Sequence, residues 1–445
     1  MIPRRTSLPL VMFILSTAGF VFVLGLVVGR YRVFPYPQLE FAKEALDGVV
    51  WDAAVAAGWR QTEHAAPARY AGAGVTRYDP EKAVPGLTLL SGFFEGRNEL
   101  RLMRADGTIV RRWTPSFFDA FPDSAHIPHF WKPASDLHVQ IHGALALPDG
   151  SVVFNFDSKG TVKMDRCGAI QWTVPRLTHH AVTLAQDGGF WIPSLRLVEK
   201  SRYRVIKEPI LEPTVLKVGA DGSIQLEISI IDLFFKNDLV PLLFANGLKG
   251  MELANKYDGF GLPNDVMHLN DVEELGEDIA SAFPQFRPGS LLLSMRDYNL
   301  VMVADPRTLT VEWYRVGPWI AQHDPDFLPN GKISVFDNGN DGTETGELWG
   351  GSRITEIDPA TGQTVVRYGG REGQPLYTDV MGMHQRLGGN LLIAETRAGR
   401  VLEVTEAGEI AWEYINRADA DTVYSVTGAT RYGVDYFKVS DWGCK

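Results

Sequence analysis

The chain has 445 residues, 45% of them hydrophobic, and a formal net charge of −11. That balance excludes a nucleic-acid partner, whose phosphates have to be neutralised by clustered Lys and Arg; no basic block here exceeds a pair such as Arg111-Arg112. The 44 Gly and 26 Pro, spread along the chain with 11 Trp, speak for a turn-rich all-β protein over a helical bundle.

In chain order, residues 1–7 hold Arg4 and Arg5 ahead of an uncharged, apolar run over residues 8–28. At about 1.5 Å per residue that run is long enough to cross a bilayer. It is long for a signal peptide and no A-x-A-like cleavage site follows, so an uncleaved single-pass membrane anchor is expected. Arg30, Arg32 and Lys43 beyond it are offset in part by Glu40, Glu44 and Asp47. The excess of basic charge at the N-terminus then predicts residues 1–7 in the cytoplasm and the rest on the periplasmic, extracytoplasmic side. Residues 29–85 read as a stalk or linker: a helical spacer (FAKEALDGVVWDAAVAAGW) followed by a loop.

Over residues 86–437 one outer hairpin recurs, a short strand, a turn with Asp or Gly, and a strand often ending in an aromatic residue. Its copies are NELRLMRADGTIVRRW, GTVKMDRCGAIQWTV, TVLKVGADGSIQLEI, NLVMVADPRTLTVEWYRV, SRITEIDPATGQTVVRY and GRVLEVTEAGEIAWEY. Six copies, most preceded by two further strands, predict a six-bladed β-propeller with helical insertions. The first blade lacks an obvious innermost strand, and VYSVTGATRY (423–432) is left over. That segment is expected to complete the first blade and close the ring, leaving no open edge. Residues 438–445 form a tail. Insertions at 194–213 and 231–267 break the period; the second is helical in pattern and is expected at the channel mouth as a lid, a membrane contact or an interface. Cys167 and Cys444 are the only cysteines. In an oxidising compartment they could pair and tie down the tail; two free thiols are the alternative.

Three stretches share a frame in which a histidine precedes hydrophobic alternation and a turn Gly eight residues on: His142 to Gly150 (HGALALPDG), His180 to Gly188 (HAVTLAQDG) and His323 to Gly331 (HDPDFLPNG). Strand neighbours point to opposite faces, so the frame selects His180 over His179. His268 opens the fourth blade in HLNDVEEL, whereas His384 falls out of frame and is not assigned to the site. Converging imidazoles suit a metal ion or the transfer of an anionic group through a nucleophilic nitrogen. His138 and His142 share a face but lie about 13 Å apart on a strand, too far for one ion. Arg296, whose planar fork matches tetrahedral oxyanions, tips the balance to an oxyanion pocket. Phe117, Phe118, Phe121, Phe130 and Trp131, with Trp319, are expected to wall it; packing between blades is the alternative for these aromatics. No metal and no cofactor are expected.

QHDPDFLPNGKISVFDNGND (322–341) closely resembles the segment around the sulfated histidine of the bacterial arylsulfate sulfotransferases, which has a Q-H start and an F-D-N-G end. HLND (268–271) and SMRDYNLVMVAD (294–305) resemble that family's H-x-N and S-x-R elements, and the pair at 179–180 its earlier histidine. The likeness runs from about residue 87 to residue 436. It implies a six-bladed propeller enzyme that moves a sulfuryl group from an aryl sulfate ester to a phenolic acceptor without a nucleotide donor. On that resemblance His323 is the nucleophile and forms an N-sulfohistidine. His268, Arg296 and His180 hold the sulfuryl oxygens. Asn270 belongs to the substrate site and orients His268, and His142 lines it. Asp324-Pro325 stands where the family has small residues. The rival readings are a non-catalytic propeller scaffold of the cell envelope and, more distantly, a metal-dependent hydrolase or quinone-dependent dehydrogenase. No oligomeric state is assigned.

Overall fold

The computed structural model describes residues 8–31, 33–57, 59–128, 131–200, 202–203, 206, 210–245, 265 and 267–444. Two compact units emerge, residues 1–61 with 133–135, and residues 62–132 with 136–445. In the first, helix Leu8–Tyr31 has a mean hydropathy of 2.6 and no buried residue. It is long and apolar enough to cross a membrane. A second helix, Tyr36–Ala56, follows.

The second unit is a six-bladed β-propeller. Blade 1 takes its innermost strand from the C-terminal end of the chain: Val426–Tyr432 pairs antiparallel with Leu87–Phe94, ahead of Arg97–Arg104 and Ile109–Trp113. Blade 2 runs from Ile141–Ala146 to Ile170–Val174. Blade 3 has an inner strand in two pieces, Leu177–Thr178 and Thr183–Leu184, beside Phe190–Val198, Ile210–Val218 and Ile224–Ser229. Blades 4, 5 and 6 begin at Leu269–Glu274, His323–Phe327 and Met383–Leu387. Gly74–Tyr78, expected in the linker, adds a fifth strand to the outer edge of blade 6, and Ala65–Pro67 pairs with Thr422–Tyr424.

The recurring turn and the recurring aromatic each have a structural reason. In the outer hairpins Asp106, Asp165 and Asp221 accept the N–H two residues on, as Asp149 and Asp187 do in the hairpins nearer the axis, closing turns through a side chain. The aromatic ending an outer hairpin staples its blade to the next: Trp113 Nε1 donates to the Asp165 carbonyl, Trp172 to Ala220 and Trp412 to Ala105. Cys167 and Cys444 form a disulfide, with Cα atoms 5.6 Å apart, that ties the tail to blade 2. The 194–213 stretch is largely an extension of one long hairpin, Phe190–Val198 against Ile210–Val218. Of the 231–267 insertion, helices Ile230–Lys236 and Val240–Ala245 are seen. Residues 246–264 and 266, on which its expected role as lid, membrane contact or interface turns, lie outside the described residues.

Candidate active site

Where the inner strands begin, their register slips: between Ile141 and Ala144 in blade 2, Leu269 and Asp271 in blade 4, and His323 and Asp326 in blade 5. A bulge bends a strand and re-aims its side chains, and bulges gather beside functional sites. In blade 3 the strand is interrupted outright, with His179 and His180 in the gap. His180 and His268 both adopt a φ of 53°, and Asp324 a φ of 50°, backbone that non-glycine residues seldom take. These irregularities turn four histidines toward one another. The His180 ring lies 4.2 Å from His142, 4.8 Å from His268 and 5.9 Å from His323, between centroids. Arg296, in the turn after strand Leu291–Met295, is tied by its backbone N–H to the His268 carbonyl at 3.0 Å.

The hydrogen bonds assign the tautomers. Asn338 Nδ2 donates to the carbonyls of Thr378 and Met381, at 2.9 and 2.7 Å, so its Oδ1 meets His323 Nδ1 at 2.7 Å as an acceptor. The Ala321 carbonyl is a second acceptor at 3.1 Å. His323 Nδ1 therefore carries the proton and Nε2 the lone pair. Asp265 takes the N–H of His268 at 2.9 Å and lies 3.3 Å from its Nδ1, which leaves His268 Nε2 as an acceptor. That nitrogen is 3.2 Å from His180 Nε2, which must donate. His180 Nδ1 then accepts from His179 Nδ1 at 2.8 Å. The chain ends at His179 Nε2, which has no partner among the described residues. A lone pair tolerates that position better than an N–H.

Burial, and then the charges of His142, His268 and their neighbours, push His180 well below the ordinary imidazole range. At His323 burial outweighs the raising effect of the Asn338 bond, and Arg296, His268 and His142 depress it further. His179 is pushed down to about 4, again chiefly by burial. At pH 7 all three are neutral. Asp157 lies 3.5 Å from His142 Nδ1 and 3.8 Å from His180 Nδ1. Although burial works against its charge, the bond and charge of His142 hold it well below the usual carboxylate range.

A cavity of about 470 Å³ runs from His142, His180 and His323 down the channel between the inner strands. Its inner wall is acidic, with Asp271, Glu273, Asp324 and Asp326. Burial raises Glu273 to about 8, and burial with neighbouring carboxylates raises Asp271 and Asp326 well above their usual range. Among the described residues, two groups gather possible metal-ligand atoms within 4.8 Å, His142 with Asp157 and His180, and Asp324 with Asp326 and His384. In the first, His180 Nδ1 is already engaged by His179. His384 sits beside the site, between Asp324 at 2.9 Å and Ser334 at 2.8 Å.

His142, His180, His268 and His323 come together, with Arg296 close enough to act on His323. The expected alternation at 179–180 fails because the left-handed His180 breaks the strand, and both rings join one network. Asn270 does not reach His268; it donates to the Gln322 carbonyl at 2.7 Å and braces the approach to His323. Trp319 is not a wall of the pocket. It is 1% exposed in the core between blades 4 and 5, donating to the Asn299 carbonyl. Phe117 and Phe121 are core residues of blades 1 and 2, Phe118 is exposed, and Trp131 packs on the same core beneath Lys159. Large aromatic area is spent on packing before it is spent on ligands. Phe130 lies outside the described residues. Sequence reasoning set aside His179 and passed over Asn338, Asp157 and Asp265. Asn338 stood in the F-D-N-G motif; the two aspartates gave no signal.

A family model described as Arylsulfotransferase (ASST) matches residues 143–417, more than half of the chain. No curated protein matches. Among solved structures the chain is similar to a streptogramin B lyase, at 14% identity over 63% of this chain and 70% of that one, with a TM-score of 0.35. It is also similar to virginiamycin B lyase from Staphylococcus aureus (12% identity, 78% and 89% covered, TM-score 0.39) and to BamB from Moraxella catarrhalis (11%, 77% and 75%, 0.31).

Proposed function

Because the chain belongs to the arylsulfotransferase (ASST) family, we propose that it carries a sulfuryl group from an aryl sulfate ester to a phenolic acceptor by way of an N-sulfohistidine at His323. The observation that carries this is the Asn338 bond to His323 Nδ1, which leaves a neutral Nε2 lone pair as nucleophile inside a ring of donors. In the first half-reaction Nε2 bonds to sulfur, and the S–O bond breaks with its electron pair going to the departing aryloxide. When the donor binds, the His180 Nε2–H, held in place by His179, turns from His268 Nε2 to the sulfuryl oxygens beside the Arg296 cation, which frees the His268 lone pair. In the second, the acceptor oxygen attacks sulfur and the N–S pair returns to His323. His268, backed by Asp265, takes the acceptor's proton, which in the full cycle balances the one gained by the departed aryloxide.

The donor enters from the outer side. The side chains of Arg296 and His268 are 25% and 22% exposed, whereas the inner channel, lined by carboxyl groups that burial keeps protonated, offers an anion no Lys or Arg among its described lining residues. Helix Leu8–Tyr31 anchors the protein, with Arg4 and Arg5 in the cytoplasm and the propeller outside it; the disulfide supports an oxidising compartment.

Intact-mass measurement after mixing with an aryl sulfate and no acceptor is the test. One sulfuryl adduct, lost when phenol is added and absent in His323→Asn, is the expected result. An unmodified wild-type protein, or an adduct that survives in the variant, refutes the mechanism.

A further inference from the structure

The sulfuryl clasp draws on blades 3, 4 and 5, and so fills one half of the channel mouth. The other half, on blades 6, 1 and 2, holds a second cavity of about 300 Å³, lined among others by Glu63, Gln140, Met381, Thr396, Arg397 and Ser425. Its lining adjoins that of the nucleophile's cavity, Met381 here being followed in the chain by Gly382 there. The Met381 carbonyl accepts from the same Asn338 amide that holds His323, and Gln140 lies two residues before His142. An aryl group leaving or attacking sulfur opposite His323 has this free half of the mouth open to it.

Three side chains lining the cavity lack adequate hydrogen-bond partners. Thr396 Oγ1 and Ser425 Oγ, on residues 0% and 7% exposed, have none among the described residues. The half-buried Gln140 amide has, among the described residues, only the Met381 sulfur at 3.8 Å. Buried hydroxyls in folded proteins are nearly always paired, so a set left short around one cavity calls for polar groups from a ligand. Glu63 and Arg397 both line the cavity, and Arg397 is held by Asp379 at 3.4 Å, so the lining has no cation left for an anionic ligand among the described residues, which favours a neutral one.

We propose that this cavity holds the aryl body of the acceptor and selects neutral phenols carrying a second hydroxyl; the proposal rests on the sulfuryl-transfer reading above. The second hydroxyl both donates and accepts, as Thr396, Ser425 and Gln140 require. It takes no part in the bond changes at His323.

Calorimetric titration of the full chain with phenol, catechol, resorcinol and hydroquinone tests the site without turnover. At least one dihydroxybenzene is expected to bind about tenfold more tightly than phenol, the worth of a hydrogen bond or two. Thr396→Val is expected to reduce that preference to threefold or less, with Ser425→Ala as a second variant of smaller disturbance. In acceptor turnover the loss is expected in KM more than in kcat. Equal affinities in the wild type overturn the proposal, because the cavity then holds only water. So does a preference that survives both substitutions. The adduct measurement on the wild type is separate: a lost preference without an adduct sinks the transfer chemistry and leaves the subsite standing, and an adduct without a preference does the reverse.

Discussion

Replacing Asn338 with leucine removes the acceptor that assigns the His323 tautomer while keeping the branched shape of the side chain. Asn338 is fully buried and its side chain makes three hydrogen bonds. Two of its partners keep an alternative: Ser352 Oγ, whose proton goes first to the Asn338 backbone carbonyl at 2.7 Å, also lies 3.3 Å from the Thr378 carbonyl, and the Ala321 carbonyl still accepts from His323 Nδ1 at 3.1 Å. Only the Met381 carbonyl is orphaned, so the fold should lose about 1–3 kcal/mol. The tautomer preference loses one short bond of about 1 kcal/mol and the ring is placed more loosely, so sulfation should slow by about 10- to 100-fold. Asn338→Asp separates electrostatics from packing. A carboxylate at that distance raises the His323 pKa, so more of the ring is protonated at a given acidic pH and the acid limb of the rate profile moves to higher pH. The assay is single-turnover sulfation followed by intact mass across pH, normalised to folded protein. A leucine variant within threefold of wild type, or an aspartate variant with an unmoved acid limb, refutes the tautomer argument.

Arg296→Met should lower the sulfation rate by about 10²–10³, the usual cost of removing a donor to developing charge. Because Arg296 depresses His323, its loss should also shift the acid limb upward, and an unchanged limb would separate the two residues. His179 is neutral in the fold, with its pKa pushed down to about 4 from an ordinary 6.5, so the unfolded chain takes up its proton first as pH falls. The stability this group contributes is complete above pH 6.5 and drains away by about 3 kcal/mol toward pH 4. Urea titrations should therefore show a flatter pH dependence in His179→Asn across that window, and equal slopes would count against a buried neutral ring. Reducing the disulfide, or Cys444→Ser, reopens a loop of 277 residues in sequence separation. Chain entropy bounds the loss at about 6 kcal/mol, read as a lower Tm with adduct formation retained.

The ring itself was legible in the sequence because each blade repeats a local pattern. Alternation, an Asp-closed turn and a terminal aromatic act over fifteen or so residues, and the unpaired segment near 423–432 pointed to the strand that joins Leu87–Phe94. The histidine frame was legible for the same reason, since a fixed offset from a turn places a side chain at a fixed level of its strand. Trp319 and Phe117 were misjudged because composition cannot distinguish an aromatic that faces a ligand from one that fills the seam between blades. His179 was set aside because alternation assumes an unbroken strand, and the φ of 53° at His180 breaks it.

Sequence alone determined the six-fold repeat, the apolar N-terminal helix and the level at which imidazoles enter the ring. The tertiary structure decided which nitrogen of each histidine carries a proton, which carboxylate backs it, and that Cys167 meets Cys444. Periodicity is a property of neighbours along the chain. Tautomer, ionisation and cross-linking depend on groups brought within about 3 Å of one another from distant blades, and only ring closure sets those distances.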